Sequence, residues 1–278
     1  MQKRAQITLF MIIAIVIVII LFLSYYIFMY NIRSKSVQNK KGVTDSGANI
    51  VTTYAESCLK LVSEDALFYK IGLQGGYIDP NEIPNEQRTS FLSISVPYYL
   101  EAICTETRCS FKDYIPDEDK IIERLSDYII VEFQKCFDKT IFEDIGLNVT
   151  YSVKNVRADV SLNEDDVFIK INYPIIVERD ETKTNLDIFT VTLPIRLKAL
   201  YDSSKDFVQK IKNTNSNTYT INLEDCKSSD KNGLTNAYIK NSEIFQFVDF
   251  STYKEKYFNS YIFQFAVKNI NIDGSCGG

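Results

Sequence analysis

The sequence predicts an α+β body behind a single N-terminal transmembrane helix, with two amphipathic helices packed on a mainly antiparallel sheet. Three observations predict it. An almost unbroken apolar run extends from Ile7 to Met29, interrupted only by Thr8 and Ser24. Apolar residues recur at helical spacing over 51–69 and again over 122–136. From Leu147 onward apolar and polar residues alternate, as they do in a sheet with one solvated face.

The apolar run matches the roughly 20 residues a helix needs to cross the hydrocarbon core of a bilayer. A cleaved secretory signal has a shorter apolar core followed by small residues. Here bulky residues follow instead, Ser24-Tyr25-Tyr26-Ile27-Phe28-Met29-Tyr30, and the aromatics suit a membrane–water interface. Flanking positive charges (Lys3 and Arg4 before, Arg33, Lys35, Lys40 and Lys41 after) slightly favour a cytoplasmic body. The six cysteines argue the other way, because disulfides persist outside the cytosol. The reading places the N-terminus inside and the body outside.

The chain divides into a short basic tail or leader (1–6), the apolar helix (7–30), a polar stalk (31–47), an α+β extracytoplasmic domain (48–212) and a β-rich segment (219–278). That last segment reads as a small module or as a sheet extension. In the stalk, Gly42 and Gly47 each weaken a helix by about 1 kcal/mol relative to Ala.

Val51, Ala55, Cys58, Val62, Ala66 and Tyr69 line one face of the first body helix, and Gly72 is a natural stop. Residues 75–88 carry Pro80 and Pro84 and read as loop. Phe91 to Leu100 reads as a strand containing Pro97, and Cys104 to Asp113 as a short disulfide-closed loop. A second helix starts after Pro116. Asp117, Glu118 and Asp119 favour the positive end of its dipole, and Ile122, Leu125, Ile129, Phe133 and Cys136 form its apolar face.

Strands dominate next. Leu147, Val149, Tyr151 and Val153 alternate, then the pattern resumes one step out of phase at Val156, Ala158, Val160 and Leu162. A one-residue slip turns side chains to the other face, so Lys154-Asn155 should be a turn or bulge. Val167 to Tyr173 and Phe189 to Leu197 form further strand faces. Pro174 and Pro194 should mark bulges or edges, because proline cannot donate to the ladder. Asp202 to Lys212 reads as a short helix. Tyr219–Leu223, Ile244–Phe250 and Tyr261–Val267 read as strands.

Cys58 and Cys136 both lie on apolar helical faces, so packing those faces together would bring the sulfurs within bonding reach. The expected disulfides are Cys58–Cys136, Cys104–Cys109 and Cys226–Cys276. Cys104 and Cys109 have no companion pair at metal-ribbon spacing, which favours a disulfide over a metal site.

Chemistry is conspicuous by what is missing. The chain has no histidine, which removes Ser-His-Asp and Cys-His activation and every zinc site with a histidine ligand. There is no phosphate loop and no dinucleotide fingerprint. Gly72-Leu73-Gln74-Gly75-Gly76 has neither spacing and reads as a helix exit and turn. The acidic runs Asp117–Asp119 and Glu164–Asp166 read as a helix start and a turn, and neither has calcium-loop spacing. A net charge of −5 with no basic cluster argues against nucleic acid. No catalytic residue, cofactor or metal is expected. Asn148-Val149-Thr150 matches the N-glycosylation acceptor pattern.

Lys3-Arg4-Ala5-Gln6-Ile7-Thr8-Leu9-Phe10 resembles the class III signal of archaeal type IV pilin-like proteins. The resemblance covers about ten residues plus the apolar helix. It implies leader cleavage between Ala5 and Gln6, anchor helices bundled in a filament core and sheet domains facing outward. Phe10 departs from the family, standing where many pilins carry a glutamate. An uncleaved anchor with a short basic tail is the other reading of the same residues. Glu56-Ser57-Cys58-Leu59 and Gly72–Ile78 also resemble uncharacterised archaeal membrane-anchored proteins, a likeness that implies no activity.

The expected function is that of a single-pass, membrane-anchored, non-catalytic surface protein, either a pilin-like subunit or an adhesin. Its expected partners are the lipid bilayer, and copies of itself or other envelope proteins. A monomeric anchored ligand-binding or sensor domain is the alternative. A carboxylate-dependent envelope hydrolase is a further one.

Overall fold

The computed structural model describes residues 46–105, 109–154, 156–213, 220–222, 232–239, 242–250 and 260–273. The α+β class holds, with one correction. Among the described residues no helix is long and apolar enough to cross a membrane. Each described helix buries one stripe and turns charged residues outward, so none is apolar all round. The expected span 7–30, the leader site Ala5–Gln6 and nearly all of the stalk lie outside the described residues.

Residues Gly47 to Gly278 form one compact unit. Helix α1 (Ser46–Asp65) starts earlier than the periodicity suggests and takes in the end of the expected stalk. It runs on into a π-helical segment, Ala66–Gly72. Helix α2 is Glu118–Cys136, with Glu118 and Asp119 in its first turn and Lys135 in its last, each on the side the helix dipole favours. Its fully buried stripe is Ile121, Leu125, Ile129 and Phe133. Ile122, expected on that face, is only half-buried beside it.

Helix α3 (Leu197–Asn213) begins well before the expected Asp202. The preceding strand stops at Leu193 rather than Leu197, because Pro194 has no N–H to continue the ladder. Among the described residues three α-helices thus lie against the sheets, the two amphipathic ones expected and the short helix expected over 202–212, which is longer than the sequence suggested.

The first sheet has six strands: β1 (Arg88–Phe91), β2 (Ile94–Cys104), β3 (Cys109–Asp113), β9 (Asn232–Ile239), β10 (Ser242–Asp249) and β11 (Tyr261–Lys268). Its order is β1-β2-β11-β10-β9, with β3 also on β2. The β11–β2 pairing is parallel and joins C-terminal strands to N-terminal ones. Pro97 is tolerated because the β11 pairing begins one residue later, at Tyr98. The expected loop Cys104–Asp113 is a hairpin, with β3 antiparallel to β2.

The second sheet is antiparallel: β4 (Asn148–Tyr151), β5 (Arg157–Leu162), β6 (Val167–Arg179) and β7 (Thr182–Leu193). β4 and β5 lie along the same edge of β6, at 175–178 and 167–172 respectively. The β6–β7 register shifts between Asn172 and Ile175, at Pro174. β6 buries every second residue without interruption from Val167 to Val177, so the phase slip before β5 is taken up between β4 and β5 and not in β6. A parallel pair, β8 (Thr220–Asn222) and β12 (Asn271–Asp273), stands apart.

A continuous buried core links the helices to both sheets. On the second sheet, Phe133 of α2 meets Tyr173 at 5.0 Å and Phe189 at 6.4 Å between ring centroids. On the first, Phe207 of α3 meets Phe245 at 4.6 Å, and Tyr99 stacks on Phe265 at 4.5 Å. Phe68 of the π segment meets Tyr261 at 5.3 Å. Each such pair adds about 0.5–1.5 kcal/mol beyond the area it buries.

Candidate functional site

The candidate site is a groove of about 560 Å³ between the exposed face of α2 and the loop that precedes β1. Ile78 and Glu82 come from the loop, and Lys120, Glu123, Arg124, Asp127, Tyr128 and Val131 from the helix. The helical set follows from spacing: these residues recur every three or four positions, on the side away from the Ile121–Phe133 stripe.

A glycine turn brings the loop to the helix. Gly75 and Gly76 have φ of 51° and 83°, the left-handed region that favours glycine. A Cβ on Gly75 would lie 2.7 Å from the Gln264 carbonyl oxygen and 2.8 Å from Pro97 Cγ. The turn is held by donors from three elements. Tyr99 donates its hydroxyl to the Gly75 carbonyl at 3.1 Å, Gln264 Nε2 donates to Leu73 O at 2.6 Å, and Arg124 Nη1 donates to Gly76 O at 3.3 Å. Downstream, the Asp79 carboxylate accepts from Asn81 N at 2.8 Å, starting a short 3-10 turn (Pro80–Glu82) that carries Glu82.

Arg124 closes the groove's inner end. Its guanidinium donates to Glu82 Oε2 at 2.6 Å and sits 4.2 Å from the centre of the Tyr77 ring. Burial raises the Tyr77 pKa above its ordinary value, although the Arg124 charge opposes the shift. Tyr128 donates its hydroxyl to Asp65 Oδ2, tying α2 to the end of α1. Burial and that hydrogen bond both push its pKa well up. Lys120 is paired with Glu123 at 2.5 Å. Four of the five charged groove residues are thus committed to one another. The groove offers a mixed-charge rim over a small apolar floor of Ile78, Val131 and the Tyr128 ring. Such a surface suits binding.

Among the described residues no group of three or more His, Cys, Asp or Glu side chains could hold a metal ion. The acidic runs are engaged by cations and an amide of the fold. Glu118 accepts from Lys198 Nζ at 3.3 Å. Asp166 accepts from Asn163 Nδ2 at 2.7 Å within its turn, and Asp165 faces Arg196 at 3.6 Å.

The cysteines and the glycosylation triplet sit away from the groove. Cys58 and Cys136 are disulfide-bonded, with Cα atoms 5.7 Å apart. Cys104 is disulfide-bonded, and Cys109 is its partner in the β2–β3 register; the Cys109 side chain is not among those described. Cys226 and Cys276 lie outside the described residues. Asn148 is exposed at the start of β4, donating to Glu178 Oε2 at 3.0 Å.

Sequence reasoning did not single out Tyr77, Glu82, Arg124 or Tyr128. The spacing of Lys120, Arg124 and Asp127 on the outer face of α2 was visible. Nothing local tells that the loop folds back over that face. No family model, no curated protein and no solved structure matches this chain.

Proposed function

We propose that this chain is a non-catalytic extracytoplasmic surface or envelope subunit, a pilin-like filament subunit or an adhesin. Its α+β head is stapled by disulfides and held at the membrane by the apolar run Ile7 to Met29. The observation that carries this reading is the Cys58–Cys136 disulfide, which joins buried Cys58 of α1 to half-buried Cys136 at the end of α2. A cross-link between two core-packed helices is part of the folded head, and such bonds persist where the compartment is oxidising. The commitment of the groove's charged side chains to one another supports a binding role over a catalytic one.

Labelling intact cells with a membrane-impermeant amine reagent, followed by non-reducing mass spectrometry, tests the reading. The head should be labelled, with Cys58 and Cys136 joined. A protected head with both thiols reduced in the cell overturns it. A mature N-terminus at Gln6 marks the pilin-like version, and an intact Met1 on the surface protein rejects that version. The second reading is a monomeric anchored binding or sensor domain; the α2 groove favours it, as a place for a ligand.

A further inference from the structure

The β1–β2 hairpin breaks two rules at one point. Its turn is Leu92-Ser93, with φ of 49° and 67° at successive residues. Two positive φ values define the hairpin turn that asparagine and glycine suit, and a leucine there is strained. Leu92 is also 81 % exposed, more than any other large apolar residue among those described. A strained backbone that presents an apolar side chain to water is a poor solution for folding. It is a good one for presenting a knob.

The knob has a matching hole on the same chain. The groove on α2 has a floor of Ile78, Tyr128 and Val131, the last half-exposed, and its volume of about 560 Å³ exceeds what one leucine side chain fills. The chemistry of the sides matches too. From Thr89 to Leu100 the hairpin carries no charge, and hydroxyls of Thr89, Ser90, Ser93 and Ser95 flank the tip. The rim carries three carboxylates and two cations, Glu82, Glu123 and Asp127 with Lys120 and Arg124. Neutral hydroxyls can donate to those carboxylates and accept from Lys120 without burying another unpaired charge.

We infer that the Leu92 hairpin tip of one copy docks in the α2 groove of a second copy. The inference rests on reading the chain as a self-associating surface subunit and specifies the contact between heads. Knob and hole lie on different elements, so the contact is heterologous. It extends into a ring or an open filament instead of closing as a simple two-fold dimer.

The test uses the full-length chain in its membrane. With p-benzoylphenylalanine at position 92, irradiation should yield a ladder of multimers of this chain, with the cross-linked peptide spanning 120–131. Cross-links to another protein, to lipid or to nothing overturn the inference. A surface-exposed head without the ladder overturns this contact while leaving the surface reading intact. Leu92→Asn combined with Ser93→Gly suits the turn, so the variant should fold with a melting temperature at or above the parent's. Self-association should nonetheless weaken at least tenfold. Val131→Glu should do the same from the other side. Mixed together, the two variants should form dimers and nothing larger, because each keeps one intact half. A mixture that stays monomeric, or a Leu92→Asn/Ser93→Gly variant that assembles normally, overturns it.

Discussion

Cys58 on the buried face of α1 is bonded to Cys136 in the last turn of α2, across a sequence separation of 78 residues. Tyr54, one helical turn before Cys58, donates its hydroxyl to the Cys136 carbonyl at 3.0 Å. Tyr54 in turn packs on Phe137 and Phe142 at 5.7 and 5.4 Å. Closing a loop of that length removes unfolded-state entropy worth about 4 kcal/mol in the chain-entropy model. Cys58→Ser with Cys136→Ser should lower unfolding stability by roughly that amount, read from denaturant midpoints under non-reducing conditions.

Glu101 and Lys268 are partners across the parallel β2–β11 register and form an ion pair at 2.7 Å. Tyr114 also donates to Glu101, at 2.9 Å. Burial pushes the Glu101 carboxyl up, but the Lys268 and Tyr114 hydrogen bonds outweigh it and hold the pKa below the ordinary 4.5. A depressed folded pKa contributes stability above the unfolded value, lost as pH falls through the folded one. Glu101→Gln should therefore cost about 1 kcal/mol near neutral pH. The gap should close in acid, measured by urea unfolding across the acid limb.

Gly75 leaves no room for a side chain. Gly75→Ala puts a Cβ against backbone and a proline ring in a left-handed conformation. We expect a loss of about 2 kcal/mol or more, with the groove opened because the turn carries Glu82 towards Arg124. Thermal melts report the first effect. The accessibility of Arg124 to a guanidine-reactive dicarbonyl reports the second.

Buried tyrosines should set the alkaline limit. Burial pushes Tyr201 up to about 12, with Asp117 and Glu118 adding to the shift. It drives fully buried Tyr99 and Tyr261 well above their ordinary 10.0. Raised pKa values contribute stability that is complete below the unfolded value and is lost as pH rises through the folded one. Phenolate absorbance for this group should appear together with loss of the near-ultraviolet circular dichroism, not before it. Smooth titration in the folded protein would contradict the burial of these rings.

The amphipathic elements were legible because their signals are local. The stripe on α2 needs only the spacing of Leu125, Ile129 and Phe133. The bulge at Pro174 needs only a missing donor. The polar half of β7, from Thr182 to Asp187, was invisible because that strand lies at a sheet edge and buries little there. The onset of α3 was misplaced because Ile195 and Leu197 continue an alternating pattern although Pro194 has already broken the ladder. The groove was not legible at all. Its two sides are separated in sequence, and Glu82 meets Arg124 only through the glycine turn.

By itself the sequence determined which segments are amphipathic helices and which are half-buried strands, and that histidine chemistry is absent. Those properties follow from the order of side chains along one stretch of chain. The tertiary structure alone decided that β11 lies parallel to β2, that Leu92 projects from a strained turn, and that a loop closes over the outer face of α2. These depend on contacts between residues far apart in sequence, whose energies become favourable only once the intervening chain has folded.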